Sequence, residues 1–398
     1  MSDLAPQLRT QTSVGVISDG LRAQLDRFKL VQGARRAGYP DVRSWHAQPE
    51  IAQPVFPTVP LQRACVYRGD ERFGYSHHPL ITRFGDVFVA SWSNGWRHED
   101  HPGQQIHCSW SRDLRHWEPW RVVVATDPEA GANVRTNSGL CALDSRLFLF
   151  VGVCENVGNQ TLATGSMQFR RMWIDLYVTD DLVRWQVHER LIEHAYVFEG
   201  PRPTRAGDQL CAGINTAQWD ENVVLVWPRG RALTLAPDRV CIPRTAAVRP
   251  EQGTWYERDD GGLWMWLRDG SLSTRLALSL SHDQGRTWST PLPTDFRNTY
   301  SRAHAGRLSD GRFYLAGNNY DQFLDRQALQ LALSPDGRIF DRMFTLLDAP
   351  TTRRLEGFHK EDGYHYPNCL VDGDRLVVIY SVNKEDIEVV SIDAAALA

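Results

Sequence analysis

From about residue 55 onward, apolar and polar positions alternate in short runs, and each run ends at a cluster of Gly, Asn, Asp or Ser. "RLFLFVGV" (146–153), "NVVLVW" (222–227), "GLWMWLRDG" (262–270), "RFYLAGN" (312–318) and "RLVVIYSVN" (375–383) are of this kind. An alternation of period two bounded by turn formers predicts antiparallel strands with one face in a core. Helical periodicity is confined to "DGLRAQLDRFKLVQGARRAG" (19–38), so the pattern predicts an N-terminal extension over 1–54 and an all-β domain over 55–398.

One turn repeats. "SHDQGRTW" (281–288) has the form Ser-x-Asp-x-Gly-x-Thr-Trp, with weaker relatives in "SRDLRHW" (111–117), "TDDLVRW" (179–185) and "SPDGRIF" (334–340). The Asp side chain is suited to accept backbone N–H bonds in a hairpin turn, Gly to supply a positive φ, and the aromatic to pin the hairpin to its neighbour. The separations between Asp113, Asp181, Asp283 and Asp336 are 68, 102 and 53 residues. These read as one, two and one units of roughly fifty residues, the size of a four-stranded propeller blade. The turns resemble the Asp boxes of sialidase-like β-propellers, which implies six or seven blades, with seven preferred, and a structural role for the four aspartates.

Composition narrows the partners. The chain of 398 residues has 44 basic and 48 acidic side chains and a net charge of -4, which leaves no basic footprint for nucleic acid or an anionic membrane. No run approaches a membrane span, and the start "MSDLAPQLRTQTSVGV" lacks a signal peptide's pattern, so the expected location is cytoplasmic. Seven cysteines without CxxC spacing predict buried thiols and no disulfide framework. Oligomeric state is not legible.

In a propeller, loops from successive blades converge at the channel mouth, so residues far apart in sequence can share a site. Polar loops here combine Arg with Tyr, His or Glu, which suits an acidic oligosaccharide, because Arg pairs with carboxylates and aromatics stack on sugar rings. "YSHHPLITRFGDVFVASWSNGWRHEDHPGQ" (75–104) places four histidines around one apolar strand. A metal site built from His77, His98, His101 and His107 matches no known ligand spacing, and no cofactor is expected beyond a structural Ca²⁺ or Zn²⁺ without a nameable ligand set.

The combination "YSHHP…EDHPGQ…SxDLxxW", "PEQGTWYERDDG", "SHDQGRTWSTPLPTDF", "GRLSDGRFYLAGN" and "GYHYPNCLV…VVIYSVNKEDIEVV" resembles sialidase-like propellers that include uronate-cleaving lyases, the ulvan lyases and rhamnosyl-glucuronate lyases. The resemblance covers about residues 65 to 393. It implies β-elimination from a uronate-containing glycan, with a base for the C5 proton, a neutraliser for the carboxylate and an acid for the leaving oxygen. Two histidines about twenty residues apart serve in that family, and His78 and His98 have this spacing. Arg171 is the implied neutraliser, with Arg170 as alternative. The family tyrosine has no counterpart in "VGVCEN", so Tyr177, Tyr196 or Tyr256 takes its place, Tyr256 being preferred. His77, Arg202, Arg205, Glu257, Arg268, Arg302, Arg326, His365 and Tyr366 are the candidate substrate ligands.

Two other functions compete. An exo-acting glycoside hydrolase of sialidase type needs an arginine triad, a Tyr/Glu nucleophilic pair and an acid. Its usual Arg-Ile-Pro segment is missing from "YRGDER" (67–72), which counts against it. A non-catalytic carbohydrate-binding propeller would survive loss of His78 and His98.

Overall fold

Six antiparallel sheets follow one another along the chain, five of four strands and one whose inner edge is split into two short strands. The computed structural model describes residues 43–44, 56–161, 167–219, 221–320 and 322–398, with side chains omitted for 43–44 and 157–168. The helix expected over 19–38 lies outside these residues. Blade one comprises Tyr75–Phe84, Val87–Gly95, Gln105–Ser111 and Arg121–Val124. Blades two to five begin with the inner strands Val134–Leu143, Ala195–Val197 continued by Arg202–Pro203, Pro250–Glu257, and His304–Arg307. Blade six has the inner strand Tyr364–Asp372, then Arg375–Val382 and Asp386–Asp393. Its outermost strand is Gln62–Tyr67, from the other end of the chain, paired with Asp386–Asp393. The fold is a six-bladed sialidase-like β-propeller. Of the two blade numbers allowed by the repeat length, six is observed and the preferred seven is not.

The alternation seen in sequence becomes a core between blades. Outward faces of adjacent sheets meet in apolar layers, such as Ile81, Phe88, Ala90 and Trp92 of blade one against Val377, Ile379, Ile387 and Val389 of blade six. Equivalent layers join the other neighbours around the ring. Each central strand is therefore buried on both faces, which explains near-continuous apolar runs such as "NVVLVW".

All four Asp motifs form the turn between the third and fourth strands, in blades one, two, four and five. In blade one, Ser111 Oγ accepts the Leu114 N–H at 2.9 Å while Asp113 Oδ1 accepts those of Arg115 and His116, each at 2.8 Å. Gly337 supplies the left-handed residue in blade five, but Leu114 and Leu182 take it, at φ 64° and 61°, in the first two. The aspartates are structural, as expected.

Strand direction separates the two mouths of the channel. First and third strands run the same way, so the Asp turns mark the back. The starts of inner strands, the loops after second strands and the interblade connections all lie at the front.

Candidate active site

The inner strands of blades one, two, four and six are all bulged near the front, and in blades one and six the bulge leaves a non-glycine residue left-handed. His78 has φ 52° where the pairing with the next strand shifts between His77 and Leu80, and Tyr366 has φ 50° where it shifts between His365 and Asn368. Consecutive strand residues normally face opposite sides, and a bulge re-aims one of them. His77 and His78 consequently stand together, ring centroids 4.4 Å apart, and the Tyr366 ring lies 4.2 Å from that of His77. A left-handed tyrosine is strained, and such outliers concentrate at working sites.

Blades four, five and six supply the charges. Arg268, at the end of a second strand, donates from Nη1 to the Tyr366 hydroxyl at 3.0 Å and from Nε and Nη2 to Glu251 Oε2 at 3.0 and 2.7 Å. The Tyr300 hydroxyl donates to the same Glu251 oxygen at 3.2 Å. Arg326 donates to His365 Nδ1 at 2.8 Å, and its guanidinium carbon lies 5.3 Å from the Tyr366 ring centroid. Lys384 donates to Glu99 Oε2 at 2.8 Å and approaches Glu361 at 3.5 Å. Arg302 is buried, and its two terminal nitrogens have no hydrogen-bond partner.

The electrostatics follow from this packing. Burial opposes ionisation of Tyr366, yet Arg268, Arg326 and Lys384 together bring its phenol below the usual tyrosine range. Burial lowers Arg302 to about 10, and burial together with the charges of Arg302, Lys384 and Arg268 lowers His78 to about 3. His77 is likewise held well below the ordinary histidine value by burial and by His78. At neutral pH both imidazoles are uncharged. Asp100 is pushed up to about 7 by desolvation and by the Glu99 charge.

The structure thus brings together His77, His78, Arg268, Arg302, Arg326, His365 and Tyr366. His98 is also at the front but in a neighbouring groove of about 650 Å³, where its Nδ1 accepts the Phe358 N–H at 2.9 Å and its ring lies against Phe358 and His101. Arg171 is half-exposed on the flank of blade two and paired with Glu155 at 2.6 Å. Arg202 lies within the channel, bonded to Glu199 at 3.0 Å and to the carbonyls of Trp255 and Ala305.

Tyr256, Glu257 and Arg205 fall at the back. Tyr256 closes the inner strand of blade four and donates to the Gly337 carbonyl at 2.6 Å, supporting the Asp turn of blade five, so its hydroxyl is a structural donor remote from the histidines. Glu257 accepts the Arg205 N–H at 2.7 Å beside a back cavity of about 570 Å³. Glu99, Glu251, Tyr300 and Lys384 were not singled out from the sequence. Each follows a second strand or opens or precedes a first one, and blade phase would have found them.

Sequence comparison adds the family. Residues 86–379 match the BNR repeat-like domain. The chain belongs to that family. No curated protein matches it by sequence. Among solved structures, this BNR repeat-like protein is similar to a Dyadobacter fermentans protein of unknown function, with TM-score 0.66, 16% identity, and coverage of 85% of this chain and 100% of that one. It is similar also to Streptococcus pneumoniae NanB sialidase, with TM-score 0.61, 11% identity, and coverage of 84% and 71%. Trypanosoma rangeli sialidase bound to the inhibitor DANA gives TM-score 0.62 and 12% identity, over 84% of this chain and 60% of that one. At these identities the likeness is one of fold alone.

Proposed function

We propose that this BNR repeat-like protein is a glycoside hydrolase acting on a carboxylate-bearing sugar, with Tyr366 as nucleophile. The observation that carries the reading is the buried array in which Arg268 bridges the Tyr366 hydroxyl and Glu251 while Arg326 and Lys384 also face the phenol. Positive charge on three sides favours the phenolate form, the form that attacks. The Tyr366 oxygen bonds to the anomeric carbon as the glycosidic bond breaks. An acid protonates the departing oxygen, and water then releases the sugar. Arg302, with both terminal nitrogens unengaged, is placed to receive the substrate carboxylate. The arginines and the Tyr/Glu pair support a sialidase-type hydrolase, though blade one carries histidines at its front. A structural neighbour, Trypanosoma rangeli sialidase, has been captured as a covalent intermediate with 2,3-difluorosialic acid, which supports the covalent route.

A second reading, β-elimination from a uronate, is favoured by the neutral imidazoles of His77 and His78 beside Tyr366. A neutral imidazole can take a C5 proton. One experiment separates the two. The wild-type protein and Tyr366→Phe are incubated with sialyl and uronyl oligosaccharides, with sugar release and ultraviolet absorbance followed together. Release without absorbance, abolished by Tyr366→Phe, and a fluorosugar adduct on the Tyr366 peptide are expected. An absorbance rise from an unsaturated uronate would replace hydrolysis with elimination.

A further inference from the structure

Beside Tyr366, one cluster is chemically incomplete. His77 is fully buried and neither of its ring nitrogens has a hydrogen-bond partner. An unmet buried donor or acceptor is destabilising and calls for an explanation. Its Nε2 lies 3.7 Å from Glu99 Oε1, and His78 Nε2 lies 3.9 Å from the same oxygen. Those separations are too long for hydrogen bonds. The three ligand atoms nevertheless lie within 4.8 Å of one another, two imidazoles and a carboxylate around one point.

The surroundings fit a first coordination shell held from behind. His78 is anchored through Nδ1 by Ser93 Oγ at 3.1 Å, which leaves Nε2 turned toward the point. Glu99 is anchored on its far oxygen by Lys384 at 2.8 Å, and its near oxygen accepts the Tyr75 hydroxyl at 3.2 Å. Lys384 lies behind the carboxylate and shares its charge with Glu361. Outer partners of this sort fix the orientation of metal-ligating imidazoles and carboxylates. Ligand atoms bound at about 2.0–2.1 Å around a tetrahedral zinc are roughly 3.3 Å apart, so the cluster needs a modest inward rotation to close on an ion. Most telling is the backbone. Inner strands of other blades are bulged at the same place, but in blade one the left-handed His78 brings to one side two rings that simple alternation would send to opposite faces of the strand.

We propose that His77, His78 and Glu99 form a binding site for a divalent transition-metal ion, zinc being the best match to an imidazole and carboxylate set. Three protein ligands leave a coordination position facing the channel. The site does not depend on the hydrolytic reading, whereas elimination with His77 or His78 as base requires that imidazole to be free of metal.

The test is metal content and spectroscopy on the whole protein, so that failure here is separate from failure of the hydrolase reading. Metal-stripped wild type, His77→Ala, Glu99→Gln and His98→Ala are equilibrated with Zn²⁺, dialysed and assayed for zinc. Co²⁺ is then added in place of Zn²⁺ and visible absorption recorded, with circular dichroism confirming the fold. About one zinc per chain is expected in wild type and His98→Ala, with affinity at least tenfold weaker in the other two. Ser93→Ala should weaken binding by roughly tenfold or more, as outer-partner loss does. If His77→Ala does not fold, the near-isosteric Glu99→Gln carries the comparison. No stoichiometric zinc in wild type, or equal zinc in wild type and Glu99→Gln, would overturn the proposal.

Discussion

Lys360 is a fully buried cation, and its replacement by Met tests how the front rim is held. Its Nζ donates to the Gly74 carbonyl at 2.9 Å, the Leu355 carbonyl at 2.7 Å and Glu385 Oε1 at 2.8 Å. It thereby ties the approach to blade one, the segment before blade six and the turn after Arg375–Val382. Met keeps the length and apolar stem but removes all three bonds. Glu385, fully buried, would retain the Arg354 and Leu355 N–H groups and the Arg354 guanidinium at 3.6 Å. Breaking one side of a buried pair costs about 3–5 kcal/mol, since the remaining charge is left partly uncompensated. With roughly 340 folded residues and about 2.1 cal/mol/K of unfolding entropy per residue, that is a fall in Tm of about 4–7 °C. Urea unfolding and calorimetry measure it directly. Adding Glu385→Gln to Lys360→Met removes the stranded charge and should recover part of the loss. If Lys360→Met stays within about 1 kcal/mol of wild type, or the second change makes matters worse, the reasoning is refuted.

Three further outcomes are expected. Gly213→Ala should destabilise by about 1–3 kcal/mol in urea, because an added Cβ would lie far too close to the Tyr196 carbonyl in a close-packed strand pair. Thiol labelling at pH 8 should be slow in the native protein, with the exposed Cys65 and Cys241 reacting first and all seven reacting only after denaturation. Burial pushes Cys108 and Cys141 up to about 12, so little thiolate exists there to react. Stability should fall on acidification between pH 6.5 and about 4. Burial depresses His107 to about 3 and His304 to about 4, so the unfolded chain takes up their protons first and is favoured below 6.5. These two groups alone contribute a slope of up to roughly 2.7 kcal/mol per pH unit, to which the buried His77 and His78 add in the same direction. His304→Gln should flatten the curve, and an unchanged slope would contradict the assignment.

Much of the architecture was legible because a propeller repeats its own physics. Period-two runs revealed strands, and the Asp turns revealed blade phase, including the blade skipped between Asp181 and Asp283. The count of six was not legible from a unit length alone, since the outermost strand of blade six is borrowed from Gln62–Tyr67 and the N-terminal residues cannot be apportioned in advance. At the site, Arg268, Arg302, Arg326, His365 and Tyr366 were readable as members of polar segments that a propeller can gather at one mouth of its channel. The pairing of His77 with His78 was not, because simple alternation sends neighbours to opposite faces and only the bulge reverses it. Spacing of twenty residues joined His78 to His98 in sequence, whereas the loop after Val87–Gly95 carries His98 outward to Phe358. Tyr256 was misplaced for a reason of direction: it ends a first strand, and first strands end at the back.

The seam made by Gln62–Tyr67 and Asp386–Asp393 has a temporal meaning. The front array takes Tyr75 and the histidine pair from the first complete blade and Lys384 from the last hairpin, with nearly the whole chain between them. During synthesis the early residues exist long before their partners, and the charged cluster has no assembled form until the final strands emerge. Completion of the ring and assembly of the front array are thus one event. A chain truncated before Asp386 would lose its chemistry and its closure together, while one reopened at a back turn and rejoined across the seam would keep every contact at the front.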